Sequence, residues 1–278
     1  MTNNKAIESL PVVKPVAPPT SIYPALEDFY RQCNSILTNY VNDEGLVDYP
    51  RLRRQRFRLE AILKEISRLS PNAYQRWEVS DRLAFWINTY NLNAMNIVAQ
   101  NYPLRGSRWM NLYYGLDSLR HLRGYKNQYK FLVMDEEYTL MAVEQRIFRK
   151  QFSEPLVLFA LTQQTLSGPR LLNAAYRGAE LMTQLNEQAQ EFILGRWGIR
   201  IDHSKEKVSL SALLLNHSDD FLAEYTIDRK FKDHPPKIRA VLNFASAHTA
   251  HNDSSFLETG NYLVDSLPYD WTVNSQSR

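Results

Sequence analysis

An α+β fold, predominantly helical and carrying a small, short-stranded antiparallel sheet, is predicted by three observations. Apolar residues recur at helical spacing over most of the chain. Only a few short runs read as strands, chiefly around Tyr129–Leu140 and in the pair Ile199–Ile201 and Lys207–Leu210. With 278 residues and 44% hydrophobic content, the chain is long enough to bury a large core as one domain.

Residues 1–23 hold Pro11, Pro15, Pro18 and Pro19 without periodicity, which predicts a disordered tail ahead of one globular domain over 24–274. From Pro24, the series Leu26, Phe29, Tyr30, Cys33, Ile36, Leu37, Tyr40 reads as a helix, broken at Asn42-Asp43-Glu44-Gly45. Leu46–Tyr49 reads as a short extended link. A second helix is expected from Pro50 to Leu69, with proline suited to its first turn. The third, with Ser80 or Asp81 as N-cap, has Leu83, Ile87, Tyr90, Ala94 and Ile97 on one face, and Phe85, Trp86 and Leu92 widen that face. Such a helix is buried on most sides, so Asn88 and Asn91 need internal partners; an unpaired buried amide costs about 1–3 kcal/mol.

Arg105–Gly124 is aromatic and irregular, with short helical turns. Tyr129–Leu140 reads as a hairpin with an acidic turn, after which Thr139 caps a helix through Arg149. Pro155–Leu161 is a short apolar run, equally a strand or a helix. Beyond Ser167-Gly168-Pro169, a long helix is expected with Ala175, Ala179, Met182, Leu185, Ala189 and Phe192 inward. Two strands follow, then helices near 211–224 and 236–250, then an extended C-terminal segment from Tyr262 to Trp271.

The formal charge of +3 does not point to nucleic acid, and no nucleotide or nucleic-acid motif is present. The arginine cluster Arg51, Arg53, Arg54, Arg56 and Arg58 is spread around a helix and reads as a solvated surface. No run approaches the roughly 20 apolar residues of a membrane span, and no leader pattern is visible. The expectation is a soluble protein with the cytoplasm favoured, no cofactor, and an unidentified small molecule, peptide or protein as partner. The single cysteine, Cys33, lies on an apolar helical face and reads as a core residue.

Several segments, in order over about 26–274, resemble the domain-of-unknown-function family DUF547. Leu83–Asn91 is similar to its Leu-Ala-Phe-Trp-Ile-Asn-x-Tyr-Asn helix, and Tyr269–Asn274 to its Tyr-Asp-Trp-Ser-Leu-Asn segment. Val47-Asp48-Tyr49 and Glu144–Arg149 match weaker motifs. The resemblance implies a histidine where this chain has Leu158, a cysteine where it has Gly168, and a histidine where it has Gln145. A thiol activated by imidazole is the chemistry those family residues would support. Leucine moves no proton and glycine has no nucleophile.

The expected function is therefore a non-catalytic, degenerate-site relative of a hydrolase-like family that keeps a scaffold for ligand or protein binding. Its binding or polar-network candidates are Asn88, Asn91, Glu144, Arg149, Arg170 and Asp270. One alternative is a hydrolase with relocated groups, using Ser167 or Glu144. Another is a structural or interaction module using the proline-rich tail and loop 105–125. His248 and His251, with Asp253 close by, have spacing that could hold zinc, although the local sequence reads as a solvated helix end.

Overall fold

The computed structural model describes residues 24–227, 229–259 and 261–277; the proline-rich tail lies outside the described residues. Helix α1 (Pro24–Tyr40) buries the seven apolar positions that its periodicity selects. The helix expected over 50–69 is two, α2 (Tyr49–Arg54) and α3 (Phe57–Arg68). The break falls at Gln55, whose side chain accepts the Tyr40 hydroxyl at 2.9 Å. After α4 (Pro71–Gln75), the central helix α5 runs from Val79 to Asn101. It starts ahead of both expected caps, and Asp81 serves a tertiary contact instead, accepting the Tyr30 hydroxyl at 2.8 Å.

Helix α5 is buried without interruption from Leu83 to Met95. It is packed by Phe29, Tyr74, Trp77 and Tyr138 through tilted and edge-on ring contacts. Full burial of each large apolar side chain contributes about 1.5–3 kcal/mol, and the Trp86 indole N–H is satisfied by the Tyr74 hydroxyl at 2.9 Å.

Helix α6 (Arg108–Tyr114) stands on the loop after α5. Strands β1 (Phe131–Val133) and β2 (Glu136–Tyr138) form the expected hairpin. Its turn, Met134-Asp135, is left-handed at both residues, as a two-residue hairpin turn requires. Thr139 caps α7 (Leu140–Val143), accepting from the Ala142 N–H, and the chain continues as a wider π-helix over Glu144–Phe152. The ambiguous apolar run is a 3₁₀ turn, Pro155–Phe159.

Helix α8 (Leu181–Leu194) starts later than expected. Ala175 is buried ahead of it in irregular chain, Ala179 is exposed, and Met182 faces solvent at 49% exposure. The inward register is Leu181, Leu185, Ala189 and Phe192. Strands β3 (Ile199–Asp202) and β4 (Lys207–Leu210) pair antiparallel as expected. The C-terminal strand β5 (Leu263–Ser266) then adds to β4 in parallel, so this sheet is mixed rather than purely antiparallel. The helix expected near 211–224 is α9 (Ala212–Asn216) and α10 (Leu222–Tyr225) around a 3₁₀ turn, Ser218–Phe221. Helices α11 (Pro236–Ser246) and α12 (His251–Thr259) follow.

The last residues form a strap across the molecule. Leu119 N–H donates to Trp271 O, Leu166 N–H to Thr272 O, and Val47 N–H to Asn274 O, at 2.8–2.9 Å. Three loops distant in sequence are thereby held around α5. The whole is helical in the main with two small sheets, the α+β class expected.

Candidate functional site

Asn88 and Asn91 lie one helical turn apart on the buried face of α5. The Asn88 amide donates to Tyr176 O at 2.8 Å and accepts Tyr176 N–H at 3.0 Å. Asn91 donates to Ala160 O at 2.8 Å and accepts Thr162 N–H at 3.1 Å. Each amide thus closes both of its polar ends on loop backbone. These two clamps fix the loop 160–177, which carries Ser167, Gly168 and Arg170.

Glu144, at the start of the π-helical segment, is placed differently. Its Oε1 accepts the Tyr90 hydroxyl at 2.6 Å and the Lys126 ammonium at 2.8 Å; Tyr90 is buried, while Glu144 and Lys126 are only partly covered. It lines a cavity of about 240 Å³ together with Phe148, Arg149, Leu158, Leu161, Gln163, His217 and Asp220. Arg149 donates to Asp220 Oδ2 at 2.9 and 3.2 Å, and His217 Nδ1 lies 3.1 Å from the same oxygen. Burial works to raise the Asp220 carboxyl, but the hydrogen bonds and charges of His217 and Arg149 outweigh it and hold it below the ordinary carboxylate value.

Gln163 and His217 also line a second cavity of about 710 Å³, so the two adjoin. The second is walled by Arg120, Arg123, Lys126, Tyr125, Tyr269 and Trp271. The Arg120 guanidinium lies 4.9 Å from the Trp271 ring centroid and 5.3 Å from that of Tyr114, within cation–π range. Among the described residues no acidic side chain lines this cavity. The Tyr269 hydroxyl is pushed up to about 12, chiefly by burial, and burial raises Tyr90 and Tyr125 well above the ordinary phenol. All three phenols are neutral donors near pH 7. The Tyr125 hydroxyl, fully buried on the cavity wall, has no hydrogen-bond partner among the described residues.

The other candidates lie elsewhere. Ser167 is buried, and its Oγ accepts the Asp270 N–H at 2.7 Å. Asp270 Oδ1 accepts the Thr272 N–H at 2.9 Å, closing a turn in the strap. Arg170 pairs with Glu191 at 2.5 Å and donates to Asp43 O at 2.6 Å, on the rim of a separate cavity of about 290 Å³ that also takes in Gly168. A Cβ placed on Gly168 would meet Gln163 Cβ at 2.9 Å and its Cγ at 3.3 Å. Leu158 is packed on the wall of the Glu144 cavity. His248 packs on the Phe244 ring, His251 is exposed, and Asp253 meets His203 at 2.7 Å. Among the described residues no three His, Cys, Asp or Glu side chains are grouped to hold a metal ion. Cys33 is enclosed, and burial pushes its thiol up.

Of the sequence-derived candidates, the fold brings Glu144 and Arg149 into one cleft. The sequence reading missed Tyr90, Lys126, Gln163, His217 and Asp220 as its companions. The spacing of His217 and Asp220 was a usable local signal. Lys126 and Arg149 reach the cleft through contacts spanning 18 and 71 positions, which no local pattern encodes.

What the fold and cleft define is a helical α+β scaffold with a polar-rimmed groove. Residues 74–193 match the model of the family described as "Protein of unknown function, DUF547", so over that segment the chain resembles the DUF547 family. The match takes in α5, the Glu144 segment, the clamped loop and α8. No curated protein and no solved structure matches the chain.

Proposed function

We propose that this chain is a non-catalytic relative of the DUF547 family that uses the joined cleft to bind a small anionic ligand with an aromatic or apolar body. The observation that carries the reading is the pairing of an apolar wall, with leucine where the family has its histidine, and a cationic, aromatic chamber. Leu158 and Leu161 supply the wall, and Arg120, Arg123, Lys126 and Trp271 supply the chamber. Gln163 supports it further, because its Cβ and Cγ would stand 2.9 and 3.3 Å from a Cβ at position 168, so no side chain fits there without a shift. Apolar walls with a few convergent polar groups are the usual form of a small-molecule site.

A hydrolase with relocated chemistry is the second reading, favoured by the Glu144 carboxylate lying in a concave cleft that His217 also lines. Ser167 gains no such support, since its Oγ is engaged by the Asp270 N–H and no titratable side chain bonds to it among the described residues.

Restoring the family's residues separates these readings. In a Cys33→Ser background, Leu158→His with Gly168→Cys should give a shielded thiol of ordinary pKa, about 8.5. Adding Gln163→Gly, which removes the Cβ that stands nearest, should expose it and depress its pKa in a manner that depends on the introduced imidazole, as expected of a dismantled catalytic site. An ordinary thiol in the triple variant would contradict that ancestry. Covalent labelling of wild-type Ser167 by a fluorophosphonate, or ester hydrolysis lost in Glu144→Gln, would favour the hydrolase.

A further inference from the structure

We infer that helix α6 is a membrane-surface anchor that seats on anionic lipid bilayers. Trp109, Leu112, Tyr113 and Leu116 are 79%, 79%, 80% and 58% exposed. The spacing i, i+3 and i+4 places Trp109, Leu112 and Tyr113 on one helical face, and Leu116 stands in the turn just past the helix end at Gly115. Single exposed apolar residues are ordinary, but a contiguous face of three extended by a fourth is an interaction surface. The helix buries none of its own residues, so its apolar side is not part of the core.

The segment is nonetheless held in place. Leu104, Leu119 and Leu122 are buried beneath it, Gly106 N–H donates to Asn111 Oδ1 at 2.9 Å, and His121 Nε2 lies 2.7 Å from Gly115 O. A Cβ on Gly106 would stand 2.6 Å from His121 Nδ1 and 2.7 Å from Met110 Cβ, so the loop is closely packed behind the helix. A face presented on so firm a base is built to meet something outside the molecule.

Charge identifies the partner. Residues 105–130 carry six Lys and Arg against one acidic residue, Asp117; Lys126 and Lys130 pair with Glu144 and Glu137, which leaves Arg105, Arg108, Arg120 and Arg123 as the cations around the helix. Arg105, Arg108, Arg120 and Arg123 are exposed, and none makes an ion pair among the described residues. Trp and Tyr favour the headgroup region, Leu the acyl boundary, and arginine the anionic headgroups around them. No described helix is long and apolar enough to cross a membrane, so the contact is a seating on one leaflet. Trp109, Leu112, Tyr113, Arg105 and Arg108 line neither cavity of the cleft, so the variants that test the anchor leave the cleft intact, although Arg120 and Arg123 also line its larger cavity.

Co-sedimentation of the full chain with vesicles of phosphatidylcholine, with and without phosphatidylserine, tests it. Binding should require phosphatidylserine, weaken with salt, and fall about tenfold or more in Trp109→Ala/Leu112→Ala, as expected for loss of buried apolar area. Arg105→Gln/Arg108→Gln should weaken binding to anionic vesicles as well. Brominated lipid should quench the wild-type fluorescence, and Trp109→Phe should remove the quenched component while retaining binding. All these side chains are exposed, so the melting temperature should not change. Absence of vesicle binding at low salt, or binding indifferent to Trp109→Ala/Leu112→Ala, would overturn the anchor. So would self-association abolished by that pair, which would assign the face to a second copy of the chain.

Discussion

Two sets of polar side chains sit within the same part of the molecule and behave in opposite ways. Asn88 and Asn91 are enclosed, and each pairs its donor and its acceptor with loop backbone. Glu144, Lys126, Arg149, His217 and Asp220 also pair with one another, but they stand around a cleft and remain partly exposed. A closed set contributes to stability because removing a member strands buried backbone groups. An open set is worth little to stability and can exchange partners with a ligand. The difference lies in what surrounds the residues, since Asn88, Asn91, Glu144 and Arg149 all fall in motifs of the same family resemblance.

The largest effect that would sharpen this contrast comes from the clamps. Asn91→Ala leaves Ala160 O and Thr162 N–H without their partner, at a cost of about 2–4 kcal/mol taken as two orphaned groups. Urea unfolding should show that loss, and Asn88→Ala one of similar size. A change below about 1 kcal/mol would erase the distinction.

Lys126→Met should act the other way. Its ion pair is partly solvated, so stability should fall by no more than about 1 kcal/mol, while binding of an anionic aromatic ligand weakens several-fold. A variant that unfolds without losing affinity would reassign Lys126 to the closed set.

The smallest effect concerns acid. Asp220 has a depressed folded-state pKa, so its contribution is complete above the ordinary carboxylate value and is lost as pH falls through the lower, folded value. Asp220→Asn should therefore lower stability slightly at neutral pH and converge with the wild type in acid, which flattens the acid limb of the stability profile. An identical acid limb in both proteins would mean that the Arg149–His217 contacts do not hold in solution.

The helical part of this architecture was legible because burial writes a period into the chain. The seven inward positions of helix α1 are recovered residue by residue, and the face expected of α5 (Leu83, Phe85, Trp86, Ile87, Tyr90, Leu92, Ala94 and Ile97) is buried as expected. Errors cluster where a tertiary contact overrides local pattern. Gln55 is held by Tyr40 and splits a helix, Asp81 is held by Tyr30 instead of capping, and the buried register of α8 starts from Leu181 rather than Met182. The parallel pairing of β5 with β4 joins segments more than 50 residues apart, and no strand periodicity specifies direction. For the cleft, family resemblance drew attention to Glu144, Arg149 and the altered positions Leu158 and Gly168. Its remaining members come from loops and turns brought together by the C-terminal strap, and their meeting is a property of the fold alone.

The most direct test of the central claim is a fluorescence titration with anilinonaphthalene sulfonate, an anionic aromatic probe, on the wild type, Arg120→Gln/Lys126→Met and Asn91→Ala under native conditions. Saturable one-site binding by the wild type is expected, weakened about tenfold in the double variant, equivalent to about 1.4 kcal/mol, with its melting temperature nearly unchanged. Asn91→Ala should instead lower the melting temperature and retain affinity in whatever fraction is folded. Equal binding by the wild type and the double variant, or no saturable binding at all, would contradict a ligand-binding cleft.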